Sequence, residues 1–146
     1  MARLYAQFGA IVFLAVGLGG LLTGDAGTLV HHQPQGNFGP IALHLTYLRD
    51  VVDLIIAAAL GFAGFRAADR VAEGIVLAAG VVLILLALVG FENPDNAAAT
   101  RSVAGLHFTT PMNIFDAITG ALAILCGVGD RQRAADGSVS SASESR

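Results

Sequence analysis

The chain has no lysine, no tryptophan and one cysteine, and only 13% of its 146 residues carry charge. Each shortage excludes something. With Cys126 alone there is no internal disulfide, and its place inside an apolar run reads as a small packed residue. A net charge of −3 with no basic cluster gives nucleic acid nothing to bind to. Every cationic side chain, histidine aside, is arginine, which reflects base composition rather than function. No nucleophile elbow, phosphate loop, dinucleotide fingerprint or Cys/His zinc spacing is present, so the sequence points to no enzyme, no cofactor and no bound metal.

Apolar residues, by contrast, are abundant and clustered. They make up 55% of the chain, with a mean hydropathy of +0.70, too apolar for an ordinary soluble domain of this size. They fall in four runs, at 4–24, 41–65, 71–91 and 112–129. Each is close to the roughly 20 residues a helix needs to cross a bilayer about 30 Å thick. The expectation is an all-α, four-helix transmembrane bundle with helices at about 4–24, 41–65, 71–91 and 111–129. The first run reads as a retained helix rather than a cleaved signal, because no A-x-A site follows it. Residues 130–146, rich in Ser and Ala and free of aromatics, read as a disordered cytoplasmic tail.

The second half of the chain echoes the first. A gap-free shift of 63 positions lays residues 9–66 on 72–129 with twelve of 58 identical, about twice what apolar composition alone supplies by our estimate. Leu14, Ala15 and Gly17 fall on Leu77, Ala78 and Gly80; Leu43, His44 and Thr46 on Leu106, His107 and Thr109; Asp53 on Asp116. Two duplicated helical hairpins are expected, each with a long polar loop, joined by the tight "RAADR" at 66–70. Arginines gather at the N-terminus, this connection and the tail, which predicts a multi-pass protein of the cell membrane with both termini cytoplasmic.

Against so apolar a background, buried charge stands out. Only residues 54–65 and 117–129 follow Asp53 and Asp116 without charge, roughly 18 and 20 Å of helix. To span, each helix must therefore carry its aspartate below the membrane surface, where a lipid-facing carboxylate costs about 3 kcal/mol. Small residues share the aspartates' stripes: Ala57, Gly61 and Gly64 after Asp53, and Gly120, Ala123 and Gly127 after Asp116. This turns both acids toward a helix–helix contact. Arg49 stands one turn before Asp53, at ion-pair spacing, with its guanidinium expected to snorkel outward. Its counterpart is Met112, so Asp116 has no cation on its own helix, leaving a shared proton or a cross-helix hydrogen bond as its options. Asp50 and its counterpart Asn113 are placed to cap or to hydrogen-bond laterally.

His44 and His107 lie nine residues before these aspartates, on the opposite helical face. They read as helix-end hydrogen bonders, or as a metal-binding or pH-sensing pair across the repeat. His31 and His32, in the first polar loop, are a weak metal signal alone. Thr110 and Pro111 read as an N-cap and first helical residue.

The order of parts resembles a family of small four-helix actinobacterial membrane proteins, domain of unknown function 4383. The matching segments are "LRDVVDL" at 48–54 and "NIFD" at 113–116, where family members carry L-H-N-x-x-H-L and N-x-x-H. Arg49, Asp53 and Asp116 then stand where the family often has histidine, which removes any histidine-based site. The resemblance implies fold and location, and no activity. Two readings of function follow: a non-enzymatic structural or accessory membrane protein, alone, as a homo-oligomer or in a larger membrane complex, or a small transporter or proton/cation relay through Asp53 and Asp116.

Overall fold

The computed structural model describes residues 1–23, 37–38, 41–42, 46–92, 106 and 108–144. Four helices form the bundle: α1 (Ala2–Thr23), α2 (Tyr47–Phe65), α3 (Asp69–Glu92) and α4 (Thr110–Glu144). A two-residue antiparallel pair, β1 (Asn37–Phe38) with β2 (Ile41–Ala42), lies between α1 and α2. The closest packing is within the hairpins, α1 on α2 and α3 on α4, while contacts between the hairpins are sparser.

Three helices are long and apolar enough to cross a membrane, over Ala2–Leu22, Asp69–Glu92 and Thr110–Gln132, with mean hydropathies of 1.8, 2.9 and 1.6. α2 falls outside that set because Arg49, Asp50 and Asp53 crowd its first two turns. All three point inward, however, while Val51, Ile55, Phe62 and Phe65 face out. Its outer surface is thus as apolar as that of its neighbours, and its 19 residues make roughly 28 Å of helix.

The interior is built from small side chains and the exterior from large ones. The core is Ala2, Ala6, Ala10, Ala57, Ala63, Ala72, Ala79 and Ala123 around a few larger groups such as Phe13, Leu60 and Leu83. Leu4, Phe8, Ile11, Leu85, Ile118 and Leu125 are exposed. Large apolar groups outside and alanine inside suit helices that pack on one another in lipid. At Gly80 and Gly120 two backbones meet closely: a Cβ on either would lie 2.9 Å from the other's carbonyl oxygen.

Several boundaries differ from expectation. α2 begins at Tyr47 rather than 41, because Thr46 caps it: its Oγ1 accepts from Arg49 N, and its carbonyl accepts from Asp50 N. Thr109 holds the same place before α4, its carbonyl accepting from Asn113 N, so the helix starts one residue earlier than a Thr110 cap would put it. α4 also runs on to Glu144, through most of the segment expected to be a disordered tail. Between 130 and 144 there is no proline, and Arg, Gln and Ala continue the helix readily. On α2 the inward stripe passes through Leu60 rather than Gly61, which is only partly buried.

The two hairpins match in burial at two offsets: the second helices at the 63 positions that sequence identity suggests, the first helices at 70. α2 buries Arg49, Asp50, Asp53, Ala57, Leu60 and Gly64; α4 buries Met112, Asn113, Asp116, Gly120, Ala123 and Gly127, each 63 positions on. α1 buries Ala2, Ala6, Ala10, Phe13, Gly17 and Gly20, whereas α3 buries Ala72, Val76, Gly80, Leu83, Ala87 and Gly90, each 70 positions on. The match of Leu14, Ala15 and Gly17 with Leu77, Ala78 and Gly80 is therefore about two helical turns out of depth. A seven-residue slip keeps the same face of a helix and changes its height by roughly 10 Å.

Candidate functional site: a buried ionic bridge

Inward polar side chains converge at the loop end of α2 and α4. Arg49, expected to snorkel out, is instead 1% exposed, and Asp53 and Asp116 are 0% exposed. The guanidinium Nε donates to Asp53 Oδ2 at 3.4 Å, one turn along the same helix, and Nη2 lies 3.3 Å from Asp53 Oδ1. Nη2 also donates to Asp116 Oδ1 at 2.5 Å on α4. Asp116 thus has no cation on its own helix but takes one from the other hairpin. A planar, permanently charged fork is suited to holding two carboxylates at once.

Asp50 and Asn113 occupy matching seats one turn nearer the loops. Asp50 packs against Gly20 of α1, and Asn113 against Gly90 of α3; a methyl on either glycine would overlap the side chain it faces. The seats explain why both first helices carry glycine at that height. Gly17 reinforces the first, since its Cβ would meet Leu54 at 2.9 Å and the Asp50 carbonyl at 3.0 Å. Of the capping or lateral bonds expected for this pair, Asn113 makes none through its side chain among the described residues. Asp50 Oδ1, Asp53 Oδ1, Asp116 Oδ2, Arg49 Nη1 and both amide atoms of Asn113 are buried with no hydrogen-bond partner among the described residues.

Further contacts hold α1 on α4. Phe13 meets Phe115 edge to face, ring centroids 5.4 Å apart, and Tyr5 Oη donates to the Thr119 carbonyl at 2.8 Å. A tyrosine hydroxyl in a run whose other polar side chains are few was the available signal for the second. At the opposite end Arg3 Nη2 donates to the Ala67 carbonyl and to Asp69 Oδ1, each at 2.8 Å, fastening α1 to the α2–α3 turn.

His44 and His107, with His31 and His32, lie outside the described residues. Among those described, no three His, Cys, Asp or Glu side chains converge as a metal site. Cys126 is partly buried, with a free thiol. In chemical terms the cluster is a buried ionic bridge joining the hairpins, one guanidinium pairing two carboxylates, with Asp50 buried one turn away. No protein-family model matches the chain, and comparison with curated proteins and with solved structures finds no match either.

Proposed function

We propose that this membrane protein is a non-enzymatic structural or accessory component of the cell membrane, its two hairpins held in fixed relation by Arg49. The supporting observation is the bridge itself: a fully buried guanidinium from one hairpin pairs with a carboxylate from each. Such a bridge is oriented, and it penalises every arrangement in which a carboxylate is left facing lipid. Arginine distribution supports cytoplasmic termini, and the shared burial registers support origin by duplication, with the first-helix register moved by two turns. Membership of the four-helix family named above rests on helix order and on the short motifs at 48–54 and 113–116 alone.

The competing reading, a transporter or proton/cation relay through Asp53 and Asp116, needs a water path to both carboxylates. Both are fully buried and share one guanidinium, which favours the structural reading. Purification from native membrane tests the accessory role, which predicts a stoichiometric companion or a homo-oligomer. Reconstitution in liposomes tests the other: ion or proton flux that disappears in Asp53→Asn/Asp116→Asn, with assembly retained, would overturn the structural assignment.

A further inference from the structure

α4 is longer than a membrane requires. Its apolar span closes at Gln132, yet the helix runs on through residues 133–144, roughly 18 Å further. α1 and α3 stop within a residue of their own spans. α3 runs antiparallel to α4, with Leu77 against Gly127, and begins at Asp69, so it gives out level with about residue 135 of α4. The segment beyond carries Gly137 and serines at 138, 140, 141 and 143. An isolated helix so short and so poor in helix formers is marginal in water, and most helices of this kind hold by packing on another element.

A second, independent feature is the outer face of α4. Ile114, Ile118, Ala121, Leu125 and Val128 are exposed there, opposite the buried stripe of Asp116, Gly120, Ala123 and Gly127. Their steps of four, three, four and three are those of the a and d positions of a heptad. Continued past the span without a break, the same register passes through Gln132, Ala135, Val139 and Ala142. Glycine aside, residues 133–144 contain four apolar positions, and only Ala134 falls off this line. Lipid accounts for an apolar face as far as Gln132 and for none beyond it. In this register Arg131 takes a g position and Asp136 the e position of the next heptad, the two that face each other across a parallel coiled coil, and their charges are opposite.

We propose that α4 pairs in parallel with α4 of a second copy of this chain, along a seam that opens in the membrane at Ile114 and runs on to Ala142. Two copies inserted alike in one membrane present the same helix face in the same direction, and a two-fold axis along the membrane normal then closes the contact. Arg131 and Asp136 of opposite copies fill the flanking positions, twice by symmetry. Gln132, a single polar residue at an a position, is of the kind that fixes register in a two-stranded coil. This rests on the oligomer arm of the function proposed above and names its partner. It does not rest on Arg49, whose bridge lies on the other face of α4.

The test uses the full-length protein in a Cys126→Ala background, with single cysteines placed in turn at every position from 131 to 142 and oxidised in native membranes. The seam predicts disulfide-linked dimers that peak at 132, 135, 139 and 142 and fall away at 133, 137 and 140. The dimer dissociation constant is measured in parallel by sedimentation in detergent, with helix content followed by circular dichroism. Arg131→Asp is expected to weaken the dimer roughly tenfold at unchanged helix content of the bundle, and Arg131→Asp/Asp136→Arg to recover it. Cross-links without the heptad period, or a double variant as weak as the single one, would overturn the seam even if the protein dimerises through another face. A chain that stays monomeric, or that cross-links only to a different protein, would overturn the homodimer, and in the second case the accessory role would still stand.

Discussion

Moving the arginine from one hairpin to the other puts the strongest demand on this structure. In Arg49→Met the guanidinium is replaced by an apolar chain of similar reach, which leaves Asp53 and Asp116 buried without their cation. Breaking one side of a buried ion pair costs about 3–5 kcal/mol. Set against a total stability of about 5–15 kcal/mol, that lowers the folded-to-unfolded ratio by roughly a hundredfold to a few thousandfold. Position 112 is the register equivalent of 49, and Met112 is as buried as Arg49. A guanidinium installed by Met112→Arg therefore starts one turn before Asp116 and faces Asp53 across the bundle, the mirror of the native arrangement. The double variant Arg49→Met/Met112→Arg keeps the composition of the cluster and is expected to recover at least half of the loss. The assay is unfolding by urea or SDS in detergent, followed by helical circular dichroism. A double variant no more stable than Arg49→Met would refute the claimed equivalence of the hairpins; a silent Arg49→Met would refute the bridge.

Three further outcomes follow from the packing. Gly20→Ala and Gly90→Ala force a methyl into Asp50 and Asn113 and should each cost about 1–3 kcal/mol, whereas Gly74→Ala, which meets nothing, should be neutral or stabilise by up to about 1 kcal/mol in the same unfolding assay. Tyr5→Phe removes the hydrogen bond to the Thr119 carbonyl and should lower stability by about 0.5–1.5 kcal/mol, with helix content unchanged by circular dichroism. Arg3→Ala frees the α2–α3 turn from α1, but the ion pair is exposed, so the cost should stay within about 1 kcal/mol and the change should show mainly as faster amide exchange near Ala67.

Much of this was legible in the sequence, for identifiable reasons. Long apolar runs with polar breaks give helices and hairpins, and three of the helices are long and apolar enough to cross a membrane. Asp53 and Asp116 were readable as inward-facing, because charge inside an apolar helix has nowhere else to go, whereas Arg49, expected to snorkel outward, is buried with them. The partner of Asp116 was not readable. Helical spacing reveals only neighbours on one helix, and Arg49 reaches Asp116 through the tertiary arrangement. Nor was the 70-position register of α1 and α3. Leu, Ala and Gly recur so often that identities align by chance on the correct face at the wrong height, and only the seating of Asp50 on Gly20 and Asn113 on Gly90 fixes the depth. The start of α2 was hidden for a different reason: Thr46 stops the helix by capping it, while the apolar residues before it look helical to any count of hydropathy.

The most direct examination of the bridge is a dipolar distance between guanidinium nitrogens and aspartate carboxyl carbons in isotope-labelled protein in lipid bilayers, with Asp116→Asn used to assign the signal. Coupling of Arg49 to both carboxyl groups, at separations within about 4 Å, is the result expected of a guanidinium shared by the hairpins. A guanidinium coupled to lipid phosphate or to water, and to neither carboxyl, would contradict it.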